Sequence, residues 1–434
     1  MTETSLDRVI TEERFAGVLA SEAEMLFRLA NSLETRPDPA KRRLQLYQLG
    51  IEADLVEAFL DDHGAKHNQA FVFLRELVAS LRGFAGVGFA LEHLWNRLDG
   101  YSTLLSEEPE VATECRSAIE QARAFVLDTL LRLLQACREE AGSLGVQWGD
   151  KLYPEDRAVT GVVNLRLPNN LGDELLDEED LQVAGVASKY LQVCEMFAQI
   201  GIRRVHDPEE RESFLSRICT EERARVYEAT VHNLQSAYDT YLKGTSLEAR
   251  DERLPLLRGH TSAAFHLLEA VTGLVHFVER HGGGRPEGLG SRMERWVDRA
   301  KVRDITLNCL LYWADAVLSS GERLAREILS SVSQVEELRL DIPAGLTIHA
   351  RPASLIVAVV NRYEMPVEME IEESQCNAAS ILEVLICAGS NPEARSCCFR
   401  GDARPLADLK ALFQAGLGEG GLEGLPPGLS YLLG

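Results

Sequence analysis

The segment His349-Ala350-Arg351-Pro352 brings together residue types suited to carrying a phosphoryl group. Pro352 fits the first turn of a helix, where a backbone N–H has no intrahelical partner, so His349 is expected at or just before the N-cap. The unpaired N–H groups around Ala350 and the positive end of the helix dipole then converge near the imidazole and form an anion site. The planar Arg351 guanidinium suits phosphate oxygens. A histidine at such a site can accept a phosphoryl group and pass it on.

The elements around this segment predict an α+β domain over residues 336–416. Apolar residues alternate with charged ones over 336–342 and with glutamates over 366–372, the period of half-buried strands. Residues 377–379 are a further short strand candidate. The predicted order is β-α-β-(β)-α-β-α. The remaining elements are helices over 351–363, 380–388 and 402–416 and a strand over 395–401.

This segment and this order of elements resemble HPr, the phosphocarrier protein of the bacterial sugar phosphotransferase system. The family motif reads Gly-Leu-His-Ala-Arg-Pro-Ala, and residues 348–354 (IHARPAS) match it from the histidine onward. A second family motif, Asn-x-x-Ser-Ile-(Met/Leu), matches residues 377–382. The resemblance implies an open-faced β-sandwich in which His349 is phosphorylated on a ring nitrogen and Arg351 is the phosphate partner. It also implies that Ser380 is the regulatory site that HPr kinase phosphorylates with ATP.

The resemblance further implies partners from the phosphotransferase system, such as enzyme I or a sugar-specific acceptor, and HPr kinase. The interface candidates are Ile348, Arg362 and Leu382. Family members dock through basic residues, whereas this chain carries seven basic and fourteen acidic residues from Glu336 to its end. The family's loop glycine is replaced by Thr347. These departures favour a rival hypothesis, in which the domain is a non-phosphorylated scaffold or regulatory binding protein.

The rest of the chain predicts a multidomain protein whose N-terminal region is all α. Helical periodicity extends over most of residues 1–335 and indicates one or two bundles, with a break near 142–172 and a short strand or hairpin over 158–167. Residues 417–434 are glycine-rich and predict a loose tail. We interpret the helical region as a partner-binding or output module that responds to the phosphorylation state.

A third hypothesis is a metal-dependent enzyme in the helical region. Steps of three and seven residues place His266, Glu269 and His276 along one helix face. Di-metal bundles use the order Glu-x-x-His, and only the reversed order occurs here, so a seam of hydrogen bonds is the favoured interpretation. The sequence therefore predicts no metal site and no cofactor.

Composition excludes several classes of function. The 434 residues include 45 Lys and Arg against 68 Asp and Glu, a net charge of −23. Such a surface disfavours nucleic acids and anionic membranes. No run of 18 apolar residues occurs, and residues 1–15 show no signal-peptide pattern. Nine cysteines without a CxxC pair predict reduced thiols and a cytoplasmic chain. The resemblance to HPr implies a bacterial protein with a role in sugar transport regulation.

Overall fold

The computed structural model describes residues 9–35, 38–98, 109–154, 179–281, 288–343, 345–421 and 424–433. Before residue 335 the regular elements of these ranges are helices, and the predicted helical region is confirmed. The hairpin predicted over 158–167 lies outside the described residues. The helices are α1 (Glu12–Glu22), α2 (Glu24–Thr35), α3 (Arg42–Asp62), α4 (Val72–Trp95), α5 (Pro109–Ser143), α6 (Glu179–Ile200), α7 (Pro208–Ile218), α8 (Glu221–Tyr241), α9 (Ser246–Arg250), α10 (Arg253–His276), α11 (Leu289–Met293), α12 (Arg299–Asp304), α13 (Tyr312–Ser320) and α14 (Glu322–Val332).

The chain forms two compact units, each assembled from segments distant in sequence. The first comprises Met1–Asn170, Phe197–Asn233 and Gly259–Ser320, and the second comprises Leu171–Met196, Leu234–Arg258 and Gly321–Gly434. Helical segments from the middle of the chain therefore belong to the same unit as the C-terminal sheet. The domain boundaries predicted near residues 335 and 416 stay a prediction, because compactness does not show which part folds alone.

The first unit contains a buried ionic cluster around Arg75 of α4. Its side chain is only 7% exposed and donates to Glu57 at 2.7 Å and to Asp61 at 2.8 Å. A buried guanidinium is tolerated when carboxylates pair with it in this way. The Arg75 side chain also holds the pKa of the Asp61 carboxyl below its usual range, although burial opposes that shift. The cluster fixes α3 against α4.

One described helix has the length and composition of a membrane span. It comprises α10 and the π-helical turn that continues it, Arg253–His281, but 67% of its most apolar window is buried. A core helix gives the same signal, so this is weak evidence for a span.

The C-terminal sheet has four antiparallel strands: β1 (Val335–Asp341), β2 (Val367–Ile371), β3 (Ser374–Asn377) and β4 (Ser396–Asp402). Their order in the sheet is β1-β4-β2-β3. Helices α15 (Ala350–Tyr363), α16 (Ile381–Ser390) and α17 (Ala403–Gln414) complete the order β-α-β-β-α-β-α. The predicted order is confirmed, and the extra strand begins three residues earlier than expected.

One face of this sheet forms the core with the three helices. In β2 the side chains of Val367, Met369 and Ile371 are buried and the intervening glutamates are exposed, the alternation a pleated strand imposes. Phe399 of β4 is fully buried and meets Phe413 of α17 edge to face, with ring centroids 5.6 Å apart. Such aromatic pairs add stability beyond the apolar area they bury.

The buried Asp402 side chain holds the corner between β4 and α17. It is the N-cap of α17 and accepts the Arg404 N–H at 3.0 Å and the Gln334 N–H at 2.9 Å. The Arg404 guanidinium Nε adds a bond of 2.8 Å. Because Gln334 immediately precedes β1, one carboxylate joins the starts of a strand and a helix.

The described part of the segment predicted as a loose tail is packed on the domain. Gly416, Leu417 and Gly418 all have left-handed φ values, of 70°, 55° and 73°, which turn the chain back after α17. Leu417 and Leu429 are fully buried, and the Tyr431 hydroxyl donates to a carboxylate of α17 at 2.7 Å. The turn fixes the segment beside α15.

Candidate functional site

His349 is the N-cap of α15, as its position before Pro352 predicted. Its Nδ1 accepts the Arg351 N–H at 3.4 Å, a distance longer than a standard hydrogen bond. Pro352 has no N–H, and the Ala353 N–H donates to the His349 carbonyl at 2.9 Å. Among the described residues, the first-turn N–H groups that donate to no backbone carbonyl are those of Ala350 and Arg351. Both lie at the positive end of the helix dipole, and the Arg351 N–H is the one that contacts Nδ1.

Buried residues hold the exposed histidine on both sides. Ile348 is 7% exposed and Ala353 is fully buried, and both belong to the domain core. The His349 side chain between them is 53% exposed. Gly345, with a φ of 83°, supplies the left-handed turn of the preceding loop. The imidazole is therefore accessible while its backbone is fixed.

The other ring nitrogen of His349 faces a carboxylate that the sequence analysis missed. His349 Nε2 lies 3.1 Å from Oε1 of Glu419, whose side chain is 28% exposed. The Oε1 atom is buried and has no hydrogen bond of good geometry from the described residues, so the ring nitrogen is its polar neighbour. Nothing in the glycine-rich sequence around Glu419 marks it as part of a site.

The other predicted residues of α15 occupy different positions. The Arg351 side chain is exposed and, within the described ranges, forms no ion pair or hydrogen bond. Arg362 lies in the last turn, about 18 Å along the axis from Ala350, and stacks on the Tyr431 ring at 4.4 Å. The structure does not bring it to His349. The side chain of Ile348, predicted as an interface candidate, packs in the domain core and is 7% exposed, and its role at an interface stays a prediction.

Ser380 is the N-cap of α16. Its Oγ accepts the Glu383 N–H at 3.4 Å, and the Glu383 carboxylate accepts the Asn377 N–H at 3.0 Å. The helix that follows exposes apolar side chains, with Leu382 65% and Ile386 60% exposed. We call the exposed side chains of Ile381, Leu382 and Ile386 the α16 apolar face.

The histidines of the proposed metal site pair with separate carboxylates. His266 Nδ1 lies 2.6 Å from Glu269 Oε2, and His276 Nδ1 lies 2.9 Å from Glu221 Oε1. In the part of the chain that the structure describes, no group of three or more His, Cys, Asp or Glu residues is arranged to hold a metal ion. The geometry supports the interpretation as hydrogen-bonded pairs.

Comparison with known proteins identifies the C-terminal part of the chain. Residues 337–391 match the family model of the PTS HPr component phosphorylation site. The match runs from β1 through α16 and includes His349 and Ser380. Neither a curated protein nor a solved structure matches the chain. The C-terminal domain is therefore HPr-like, which suggests a phosphocarrier role related to the phosphotransferase system.

Proposed function

We propose that the protein is a phosphocarrier or phosphorylation-dependent regulator of the phosphotransferase system, with His349 as the residue that accepts the phosphoryl group. One observation carries the proposal. His349 is the N-cap of α15 inside the matched segment, and its Nδ1 accepts the first-turn N–H of Arg351. An N-cap histidine on an inert fold would need neither an accessible ring nor an uncommitted arginine two residues later.

Nδ1 is the proposed nucleophile. Its lone pair attacks the phosphorus of the donor, the Nδ1–P bond forms as the donor's bond to phosphorus breaks, and the electron pair of that bond stays with the donor. The transferred oxygens then lie at the N-terminus of α15, where the N–H groups of Ala350 and Arg351 are already oriented toward negative charge. The Arg351 guanidinium supplies a further donor pair, because its planar fork matches two phosphate oxygens.

The proposed docking surface is the α16 apolar face, which contains the interface candidate Leu382. Burying exposed apolar area contributes roughly 25 cal/mol per Å², and this contribution does not depend on the sign of a partner's charge. Enzyme I or a sugar-specific acceptor is the proposed partner. An acidic domain can use such a face where a basic rim is lacking.

The proposed output module is the helical part of the chain, beginning with the segments in the same compact unit. Lys189 of α6 pairs with Glu364, the C-cap of α15, at 2.7 Å. Adding a phosphoryl group at one end of α15 changes the charge of a helix whose other end contacts α6. Phosphorylation could thus alter the docking of helical segments.

The direct test is phosphorylation of the full-length chain by phosphoenolpyruvate and enzyme I. We expect one acid-labile phosphoryl group per chain, assigned to His349 Nδ1 by ¹H–¹⁵N NMR of the imidazole. Enzyme I preparations from several bacteria should be used, because the acidic domain selects among donors. Failure with every donor would sink the proposal and favour the non-phosphorylated scaffold.

We propose Ser380 as the regulatory site for HPr kinase and ATP. Ser380→Ala is expected to lower the free energy of unfolding by about 1 kcal/mol because the N-cap is lost. It should also abolish the mass increase that we expect when the wild-type chain is incubated with HPr kinase and ATP. Ser390→Ala, at the exposed end of α16, is the matched control and should change neither quantity. A mass increase that persists in Ser380→Ala contradicts the assignment.

A further inference from the structure

We propose that Glu419 is a positioning residue for His349: its carboxylate holds the proton on Nε2, so that the lone pair is on Nδ1 at the N-terminus of α15. The use of that lone pair for phosphoryl transfer rests on the proposed function, whereas the placement of the proton does not. An ionised carboxylate offers no hydrogen to donate, so Glu419 Oε1 at 3.1 Å from Nε2 favours the hydrogen on Nε2 through its charge, although the two atoms do not form an aligned hydrogen bond.

A second contact assigns the same tautomer independently. A neutral imidazole has one N–H, and Nδ1 accepts the Arg351 N–H at 3.4 Å. Both neighbours of the ring therefore favour a hydrogen on Nε2 and a lone pair on Nδ1. Without Glu419, the weak Arg351 contact alone would select the tautomer.

The backbone places Glu419 firmly enough for this role. Three consecutive left-handed residues, 416–418, precede it, and the middle one is Leu417, for which such a φ is unfavourable. Leu417 is fully buried, so core packing holds the strained turn, and the Glu419 N–H closes it by donating to the Gly416 carbonyl at 3.1 Å. Glu419 Oε1 is itself buried, so its desolvated charge gains from a donor on the ring.

The same contact has a consequence for donation of the phosphoryl group. Nε2 keeps its proton both when the phosphoryl group is taken up and when it is passed on. With phosphorus on Nδ1, the ring is therefore an imidazolium that faces the carboxylate. During transfer the Nδ1–P bond breaks, its electron pair returns to Nδ1, and the ring leaves as the neutral Nε2–H imidazole. A ring that lost the Nε2 proton first would have to leave as an anion, a poorer leaving group. Glu419 therefore supports transfer by opposing loss of that proton.

The test compares Glu419→Gln and Glu419→Ala with Glu373→Gln, an exposed change of the same charge in the turn between β2 and β3. In the full-length, unphosphorylated protein, ¹⁵N shifts of the His349 ring report which nitrogen carries the hydrogen. We expect the Nε2–H form to predominate in the wild type and in Glu373→Gln, and its share to fall in Glu419→Ala. An amide spectrum of each variant checks that the fold is retained. An unchanged tautomer ratio in Glu419→Ala overturns the proposal.

The second readout is transfer from the phosphorylated chain to an acceptor. Glu419→Gln is expected to slow this step by about tenfold, the effect of removing the negative charge that faces Nε2. Glu373→Gln should match the wild type. If the chain takes up no phosphoryl group but the tautomer changes as expected, the proposed function fails and the positioning role of Glu419 stands. A wild-type transfer rate in Glu419→Gln overturns its role in transfer.

Discussion

The His349→Gln protein is expected to take up no detectable acid-labile phosphoryl group from phosphoenolpyruvate and enzyme I, a loss of at least about 10³-fold in rate. Glutamine keeps a polar side chain at the N-cap but offers no nucleophilic nitrogen, since its amide lone pair is delocalised. The measurement is uptake of ³²P followed by brief acid treatment. The fold should persist, because replacement at a cap changes the free energy of unfolding by about 1 kcal/mol.

His206→Gln is the matched control for this prediction. His206 is an exposed histidine of the first compact unit, far along the sequence from the matched segment. Its replacement should leave uptake unchanged. If His349→Gln still takes up the phosphoryl group and His206→Gln does not, the acceptor residue lies in the helical region and the proposal is contradicted.

The fold around the site could be predicted because it depends on local patterns. Alternation from Val367 to Ile371 indicates a strand with one buried face, and the structure has that face in the core. Pro352 in a first helical turn places the N-cap at His349, and the cap is found there. Both inferences follow from the geometry of single elements, which a short stretch of sequence determines.

The parts that could not be predicted depend on contacts between distant segments. Glu419 reaches His349 because the chain makes a left-handed turn at Leu417. Leucine rarely adopts a positive φ, so the sequence does not predict this turn. Ile348 lies next to the site in sequence, yet its side chain is in the core. The grouping of α6 (Glu179–Ile200) up to Met196 with the sheet depends on contacts between distant segments, which helical periodicity alone does not specify.

The structure also shows where several acidic side chains of the C-terminal domain lie. Glu337, Glu368, Glu370 and Glu372 line a shallow depression on the exposed face of the sheet, where Arg339 and Arg400 accompany them. In β2 the buried side chains point toward the helices and the glutamates point away from them. Four of the fourteen acidic residues from Glu336 to the end therefore line the exposed face of the sheet, whereas Glu419 lies beside His349. The sequence-based argument for a non-phosphorylated scaffold assumed an acidic rim around His349, and these four residues are not part of that rim.

The Asp402→Ala protein is expected to lose about 2–4 kcal/mol of unfolding free energy. The substitution removes a buried acceptor, 3% exposed, and leaves the N–H groups of Gln334 and Arg404 without their partner at the corner of β1, β4 and α17. Asp341→Ala, an exposed aspartate at the end of β1, should change stability by no more than about 0.5 kcal/mol. Urea unfolding of the two variants measures the difference, and equal midpoints would contradict this account of the corner.

Asp402 also gives the domain a pH dependence with a definite sign. Burial raises the pKa of its carboxyl, but hydrogen bonds from Arg404 and from the Gln334 N–H outweigh burial and hold the pKa below its usual range. A carboxyl with a lowered folded-state pKa contributes stability that is fully present above its unfolded value, about 3.9. That stability is lost as the pH falls from there through the folded-state pKa. Asp402→Asn should therefore show a shallower loss of stability than the wild type below about pH 4. Parallel acid unfolding curves for wild type and Asp402→Asn would show that another carboxyl controls the acid sensitivity of this corner.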